Sequence, residues 1–312
     1  MSGEDVVVLA GGTGGAKLVR GMADVVEPER LAAIANPGDD IEIYGAHVSP
    51  DPDLVSFWLA DLIDPRGWGL AGDTFAVMDA LRALGVEVWF NLGDRDLAWC
   101  LERARLVAEG ATATAALARL NAAIGVRARV LPACDERLRT FVRTSSGWHS
   151  FQEFMIREQA EPAVEGLEFR GAEQARPTRE VLEAIAAARV VFIGPSNPLA
   201  SIGPMLGVPA LREALARCDA PVVAVSPIVG GEVLKGPTAA FMKYARLPCD
   251  AGGVARFYEG LLDGMVADEA LPDPHLPALQ IDTRMDDAPS RARVAAQTLA
   301  FARELAARKG KR

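Results

Sequence analysis

Val6-Val7-Val8-Leu9-Ala10-Gly11-Gly12-Thr13-Gly14-Gly15-Ala16-Lys17 is the stretch whose reading decides the fold. Its apolar run is short and rich in β-branched side chains, the pattern of a strand buried on both faces, and it meets glycine at once. A strand that passes through a tight turn into a helix is the opening unit of a parallel sheet. Missing side chains at Gly11, Gly12, Gly14 and Gly15 let the backbone approach a ligand, and free N–H groups near Thr13 can bond phosphate or carboxylate oxygens. The loop is neither GxxxxGK[ST] nor a strict GxGxxG. Its plainer reading is a tight strand-to-helix turn, and Lys17 either complements a phosphate or is simply solvated.

Working outward, further strands are expected at Leu31–Ala35, 87–90, 127–131, Val190–Ile193 and Val222–Val225, with alanine-rich helices at 74–84, 97–108, Ala113–Ala123, 179–188 and 210–217 between them. Alternation of this kind implies an α/β fold, a doubly wound, Rossmann-like and mostly parallel sheet. Residues 131–170 read differently, with Thr- and Phe-bearing segments around a hairpin-like Ser145-Ser146-Gly147 turn. The expected organisation is one core made of 1–100 and 176–312, interrupted by an inserted α/β subdomain over 101–175.

With 312 residues the chain can bury a full-sized core. The four cysteines form no CxxC pair, so a zinc ribbon or a thioredoxin-like motif is excluded and a reducing cytoplasm is the expected setting. The N-terminus lacks the basic flank of a signal peptide, and no apolar run approaches the roughly 20 residues that span a bilayer. A net charge of -9 argues against nucleic acid as partner, yet leaves small anions open, because a helix start holds phosphate without net basicity. The basic end, Arg303 to Arg312, reads as a fraying helix.

Several polar loops follow the expected strands. Asn36-Pro37-Gly38-Asp39-Asp40-Ile41-Glu42 and Ser49-Pro50-Asp51-Pro52-Asp53 lie at the carboxyl edge, where open α/β sheets place ligands. Closely spaced carboxylates repel, and a reason to keep Asp39, Asp40, Asp51 and Asp53 together is a divalent cation such as Mg²⁺ bridging substrate phosphates. Their plainer role is turn and cap chemistry, the stronger reading for Glu42. Asn91-Leu92-Gly93-Asp94-Arg95-Asp96 leaves the 87–90 segment. Asp94 is a cap candidate there, while the Arg95 guanidinium can stabilise charge on a transferring phosphoryl group.

Ser196 and Asn197, in Gly194-Pro195-Ser196-Asn197-Pro198, supply neutral donors, and Ser226 to Gly231 repeats the arrangement with Gly230 at its turn. His47, His149 and His275 lack metal-site spacing, although His47 lies near the aspartates and is a candidate for substrate contact or for a structural role. Trp58, Trp68, Trp99 and Phe75 are either core residues or the walls of a flat aromatic pocket.

Taken in order, GGTGGAKL, NPGDDIEIYGAHVSPDPD, GWGLAGDTF, LGDRD, GPSNPLASIGP and AVSPIVGG resemble the 2-phospho-L-lactate transferase family of coenzyme F420 biosynthesis, including its phosphoenolpyruvate-using bacterial members. The resemblance spans nearly the whole chain. It implies a homodimeric, Mg²⁺-assisted enzyme whose donor is a guanosine diphosphate ester of a three-carbon acid and whose acceptor is the deazaflavin Fo, with GMP as leaving group. Carried over, Gly11, Gly12, Thr13, Gly14, Gly15, Lys17, Ser196, Asn197, Ser226 and Gly230 would hold the nucleotide. Asp39, Asp53 and Arg95 would be catalytic, Asp39, Asp40, Asp51 and Asp53 would hold the metal, and Asp53, Asn91 and His47 would touch Fo. Asn91 departs from the basic residue expected in archaeal members, and Pro52 from the leucine often found there. A sugar-nucleotide-binding regulator of the gluconeogenesis-factor type is the alternative, and the paired GDDIEIYG and SPDPD segments favour the transferase. An NAD-dependent oxidoreductase would need an acidic residue ending the second strand and a true GxGxxG.

Overall fold

A computed structural model describes residues 5–233, 236–273 and 275–309. Its centre is a seven-stranded sheet. Numbering only the strands of that sheet, these are β1 (Val6–Ala10), β2 (Leu31–Ala35), β3 (Arg129–Pro132), β4 (Val190–Ile193), β5 (Val222–Val225), β6 (Gly264–Ala267) and β7 (Ala278–Gln280). The spatial order is β7-β6-β5-β4-β1-β2-β3, and every pairing is parallel. The α/β, doubly wound expectation holds.

β1 stands between β2 and β4, with Val6 opposite both Leu31 and Val190. Its side chains alternate between two cores: Val7 and Leu9 join one, Val6, Val8 and Ala10 the other. That two-sided burial is why the strand reads as a continuous apolar run rather than an alternating one. The chain winds from β1 towards β3 on one side and from β4 towards β7 on the other. The β1–β4 boundary is therefore the switch point where loops diverge and leave a crevice.

The helices that concern the site are α1 (Gly12–Met22), α2 (Pro50–Leu59), α3 (Ala76–Ala83), α4 (Asp94–Ala108) and α5 (Ala113–Ala123). The C-terminal helix, Ala288–Lys309, packs on α1, and Gly21 lets them approach, since a Cβ there would stand 2.6 Å from the Arg291 carbonyl oxygen. The last three residues of the basic end lie outside the described residues. Among the described residues no helix is long and apolar enough to cross a membrane.

Three expectations change. The 87–90 segment is not a strand: it is an extended connection between α3 and α4 with no sheet neighbour, and the Phe90 N–H is met by the Tyr44 hydroxyl at 3.3 Å. Apolar residues there pack in place of pairing, so composition alone misreads them. The interval 101–175 is not set apart throughout, because β3 lies within it and pairs with β2. What stands outside the main sheet is a three-stranded antiparallel sheet of Gly147–Ser150, Arg139–Thr144 and Gly166–Arg170, whose first turn is the expected Ser145-Ser146-Gly147 hairpin. Finally, β6 and β7 were not anticipated, nor was the hairpin Ile41–Ile43/Ala46–Val48, whose two-residue turn places Tyr44 at φ 53 and Gly45 at φ 77. Both central residues at positive φ define the tight turn that suits strand twist.

Candidate functional site

The loops after β1 and β4 meet at the switch point. The Gly11 N–H donates to Ser196 Oγ at 3.1 Å, joining them directly. Close packing accounts for three of the glycines. A Cβ on Gly14 would lie 2.0 Å from the Pro195 carbonyl oxygen, one on Gly15 2.6 Å from Ser196 Oγ, and one on Gly11 2.6 Å from Ser201 Cβ. Gly12 is different, because its φ of +60° is the left-handed conformation that glycine adopts without penalty. That turn points its N–H at Asp51, whose Oδ1 accepts it at 2.6 Å. Thr13 and Lys17 follow on α1. Asn197 is a helix cap: its Oδ1 accepts the N–H groups of Leu199 and Ala200, both at 3.0 Å.

One side chain organises the carboxylates. Asn36, fully buried at the end of β2, donates through Nδ2 to Asp39 Oδ1 at 3.1 Å and to Asp51 Oδ2 at 2.9 Å. Its Oδ1 accepts the Gly38 N–H at 2.8 Å, which curls the loop back on itself. Asp39 and Asp51 are both buried. Burial raises Asp39 well above the usual carboxylate range, with Asp51 and Asp40 adding repulsion and the Asn36 hydrogen bond opposing it. Burial likewise raises Asp51 to about 6, against the hydrogen bonds from Asn36 and Gly12.

The other two aspartates are already partnered. Asp40 accepts from Ser49 Oγ at 2.7 Å and meets His47 Nε2 at 2.9 Å. Asp53 accepts the Trp99 Nε1–H at 2.7 Å and both terminal nitrogens of Arg103, Nη1 at 3.0 Å. Arg103 is 2% exposed and also donates to the His47 carbonyl at 2.9 Å, so a full ion pair is sealed inside the protein. Burial raises Asp53 while the Arg103 charge and the hydrogen bonds from Arg103 and Trp99 lower it. The expected four-carboxylate metal group therefore divides into a pair, Asp39 with Asp51, and two residues committed elsewhere. Among the described residues no three His, Cys, Asp or Glu side chains converge on a common point that could hold an ion.

Two cavities flank Pro52. A cavity of 310 Å³ is lined by Asp51, Asp53, Asp96 and Asn91 together with Phe57, Trp68, Phe75 and Phe90. Trp68 and Phe75 thus form part of an aromatic wall, whereas Trp58 and Trp99 are core residues. A cavity of 560 Å³ on the other side is lined by His47, Asp40, Arg103 and Arg139 among others. Arg103 faces the larger space and its partner Asp53 the smaller, which makes the ion pair part of the partition between them.

Asn91 is exposed, and its Oδ1 accepts from Arg82 Nη2 at 2.8 Å. Arg95, expected to stabilise charge on a transferring phosphoryl group, is exposed and donates to the Ala71 carbonyl at 3.0 Å, with its backbone N–H held by Asp73. Asp94 caps α3, accepting from the N–H groups of Ala76 and Val77, rather than its own helix. Ser226 forms a local turn with Ile228, and the Gly230 N–H donates to Asp268. Glu42 pairs with Arg137 and Arg139 from the strand Ile41–Ile43, an ion-paired position in place of the turn or cap role expected for it.

Sequence reading missed Asn36, Trp99 and Arg103 as organising residues. A signal existed: Asp96, Trp99, Cys100 and Arg103 recur every three or four positions and so share one face of α4. An arginine and an aspartate on an otherwise buried stripe call for a buried partner.

A doubly wound parallel sheet whose glycine turn meets Asp51, a carboxylate bridged to Asp39 and lining an aromatic-walled cavity, is the frame of an α/β enzyme. The chain belongs to the 2-phospho-L-lactate transferase CofD family, which it matches over residues 6–298, and it is a transferase. It is 37% identical over 265 residues to the 2-phospho-L-lactate transferase of Methanosarcina mazei, covering 85% of this chain and 87% of that one. It is 37% identical over 316 residues to the phosphoenolpyruvate transferase of Streptomyces griseus, covering 97% of this chain and 99% of the relative. Among solved structures, a UPF0052-family protein of Bacillus halodurans superposes with a TM-score of 0.63 at 17% identity, covering 96% of this chain and 99% of the other, a likeness of fold.

Proposed function

We propose that the protein transfers a 2-phospholactyl, phosphoenolpyruvyl or related phospho-three-carbon-acid group from its guanosine diphosphate ester to the deazaflavin Fo, releasing GMP and forming coenzyme F420-0 or its dehydro form. The observation that carries this reading is the juxtaposition, along Pro50-Asp51-Pro52-Asp53, of the glycine turn, whose Gly12 N–H Asp51 accepts, with an aromatic-walled cavity that Asp51 also lines. Gly12 and Asp51 meet at the phosphate end, and the cavity beside them offers Trp68, Phe75 and Phe90 to a planar acceptor. The donor would lie over the loops after β1, β4 and β5, reaching Ser196, Ser226 and Gly230.

Asp39 and Asp51 take their hydrogen bonds from neutral donors, Asn36 Nδ2 and the Gly12 N–H, and burial disfavours charge on both. That donor set fits Mg²⁺, which commonly takes one or two carboxylates and completes its shell with water and substrate phosphate oxygens. When bound, such an ion neutralises charge on the transferring group. The chain's own contribution is positioning. Asn36 Nδ2 bridges the two carboxylates, and Arg103 with Trp99 holds Asp53 in place at the cavity wall. The ribityl hydroxyl of Fo attacks the phosphorus bearing the three-carbon acid, the new O–P bond forms as the bond to GMP breaks, and GMP departs with the bridging oxygen. A loose transition state of this type asks for alignment and charge neutralisation rather than a covalent nucleophile. A cytoplasmic homodimer is the proposed form.

Incubation of the purified protein with Fo, Mg²⁺ and the guanosine diphosphate esters of lactate, enolpyruvate and glycerate, followed by chromatography, should yield GMP and a phosphorylated deazaflavin with at least one donor. Absence of GMP with all three overturns the proposal.

A further inference from the structure

Four carboxylates line the smaller cavity, and three of them are fully served. Asp53 is neutralised by Arg103, and Asp51 is held by Asn36 and the Gly12 N–H. Asp73 accepts the backbone N–H groups of Thr74, Arg95 and Asp96 at 2.9, 2.9 and 3.0 Å, which places it as the clamp on the first turn of α4. Asp96 is the exception. Its carboxylate is approached by the Cys100 thiol at 3.9 Å, a weak donor at long range. Its backbone is fixed by Asp73 at one end and by helix α4 at the other, so the side chain is held at the cavity wall without a strong partner of its own among the described residues.

On this geometry we infer that Asp96 is the general base of the transfer, accepting the proton of the acceptor hydroxyl as that oxygen bonds to phosphorus. The inference rests on the function proposed above. The hydroxyl O–H bond breaks to Asp96, the O–P bond forms, the bond between phosphorus and the GMP oxygen breaks, and the proton passes from Asp96 to water after product leaves. Its surroundings suit the task. Burial raises the Asp96 carboxyl to about 7; the charges of Asp53 on α2 and Asp73 before α3 push the same way, while Arg103 and the Cys100 thiol on its own helix oppose them. A base poised near the working pH is half available and still strong enough to take a proton. Asp53, by contrast, is engaged through both carboxylate oxygens by Arg103 and Trp99.

The test compares wild type, Asp96→Asn and Asp96→Glu in steady-state GMP release between pH 5 and 9, with Fo binding followed by its fluorescence. Wild-type activity should rise with pH through a midpoint near 7. Asp96→Asn should lower kcat by about 10²–10⁴-fold and abolish that rise, while Fo affinity stays within about threefold. Asp96→Glu should restore part of kcat together with a shifted midpoint, which a merely structural aspartate would not do. An Asp96→Asn enzyme that keeps wild-type kcat and the same acidic limb overturns the assignment while leaving the transferase reading intact. Loss of Fo binding in step with kcat overturns it too, by making Asp96 a binding residue. A wild-type protein that releases no GMP from any donor sinks the transferase reading and the base assignment together.

Discussion

Replacing Arg103 with methionine isolates the sealed ion pair. The guanidinium is 2% exposed and makes three hydrogen bonds, two to Asp53 and one to the His47 carbonyl. Its removal strands a buried carboxylate, a change that costs about 3–5 kcal/mol when the partner remains charged. Against a total stability of about 5–15 kcal/mol this is a large fraction. The size of the loss should depend on pH. Burial already raises Asp53 even with Arg103 beside it, so without Arg103 its folded-state carboxyl rises further. A carboxyl raised in the folded state binds more protons there than in the unfolded chain, so stability falls as pH climbs from the unfolded value towards the folded one. Urea unfolding should therefore show the full deficit of Arg103→Met at pH 8 and a smaller one at pH 5. Adding Asp53→Leu should recover at least half of the loss, because an apolar pair carries no desolvation penalty. A deficit below about 1 kcal/mol at pH 8, or one equal at both pH values, would refute the reasoning.

Other substitutions probe the rest of the site. Gly14→Ala should destabilise the protein by about 1–3 kcal/mol in urea melts, because its Cβ would collide with the Pro195 carbonyl oxygen 2.0 Å away and force the two loops apart. Gly12→Ala meets no such obstacle, its nearest neighbour being Ser201 Oγ at 4.0 Å, and should cost about 1 kcal/mol through its positive φ alone. Asp51, raised to about 6, makes wild-type stability decline between about pH 4 and pH 6 by the same linkage. Asp51→Asn should flatten that slope and abolish the Mg²⁺ dependence of GMP release, and an unchanged Mg²⁺ titration would remove Asp51 from the cation site. Trp99→Phe keeps the edge contact with Phe57 but removes the 2.7 Å hydrogen bond to Asp53, and should cost about 1–3 kcal/mol by thermal unfolding.

The parts of the molecule legible in sequence are those set by short-range patterning. β1, β2, β4 and β5 are apolar runs ended by Gly11, Asn36, Gly194 and Ser226, and each lands in the parallel sheet. The antiparallel hairpin at Ser145-Ser146-Gly147 was equally legible from its turn chemistry. The failures have a common origin in context. The 87–90 segment has strand composition and no partner, while β7 has only three residues and owes its existence to β6 beside it. Pairing is a property of two segments, and a window along one of them does not contain it.

The site follows the same division. Loops at the carboxyl ends of strands are readable because topology places them there, but the state of each carboxylate is decided by residues far away in sequence. Asp51 and Asp53 are two positions apart, and successive positions on a helix face different ways. One turns to Asn36 and the Gly12 N–H, the other to Trp99 and Arg103 on α4. From the SPDPD string the two aspartates are equivalent. Within the fold, the neutral donors around Asp51 leave it short of positive charge, whereas Arg103 has already supplied that charge to Asp53. On the function proposed above, a divalent cation would gain more from Asp39 and Asp51 than from a set containing Asp53, since recruiting Asp53 would require breaking a buried ion pair and leaving Arg103 uncompensated.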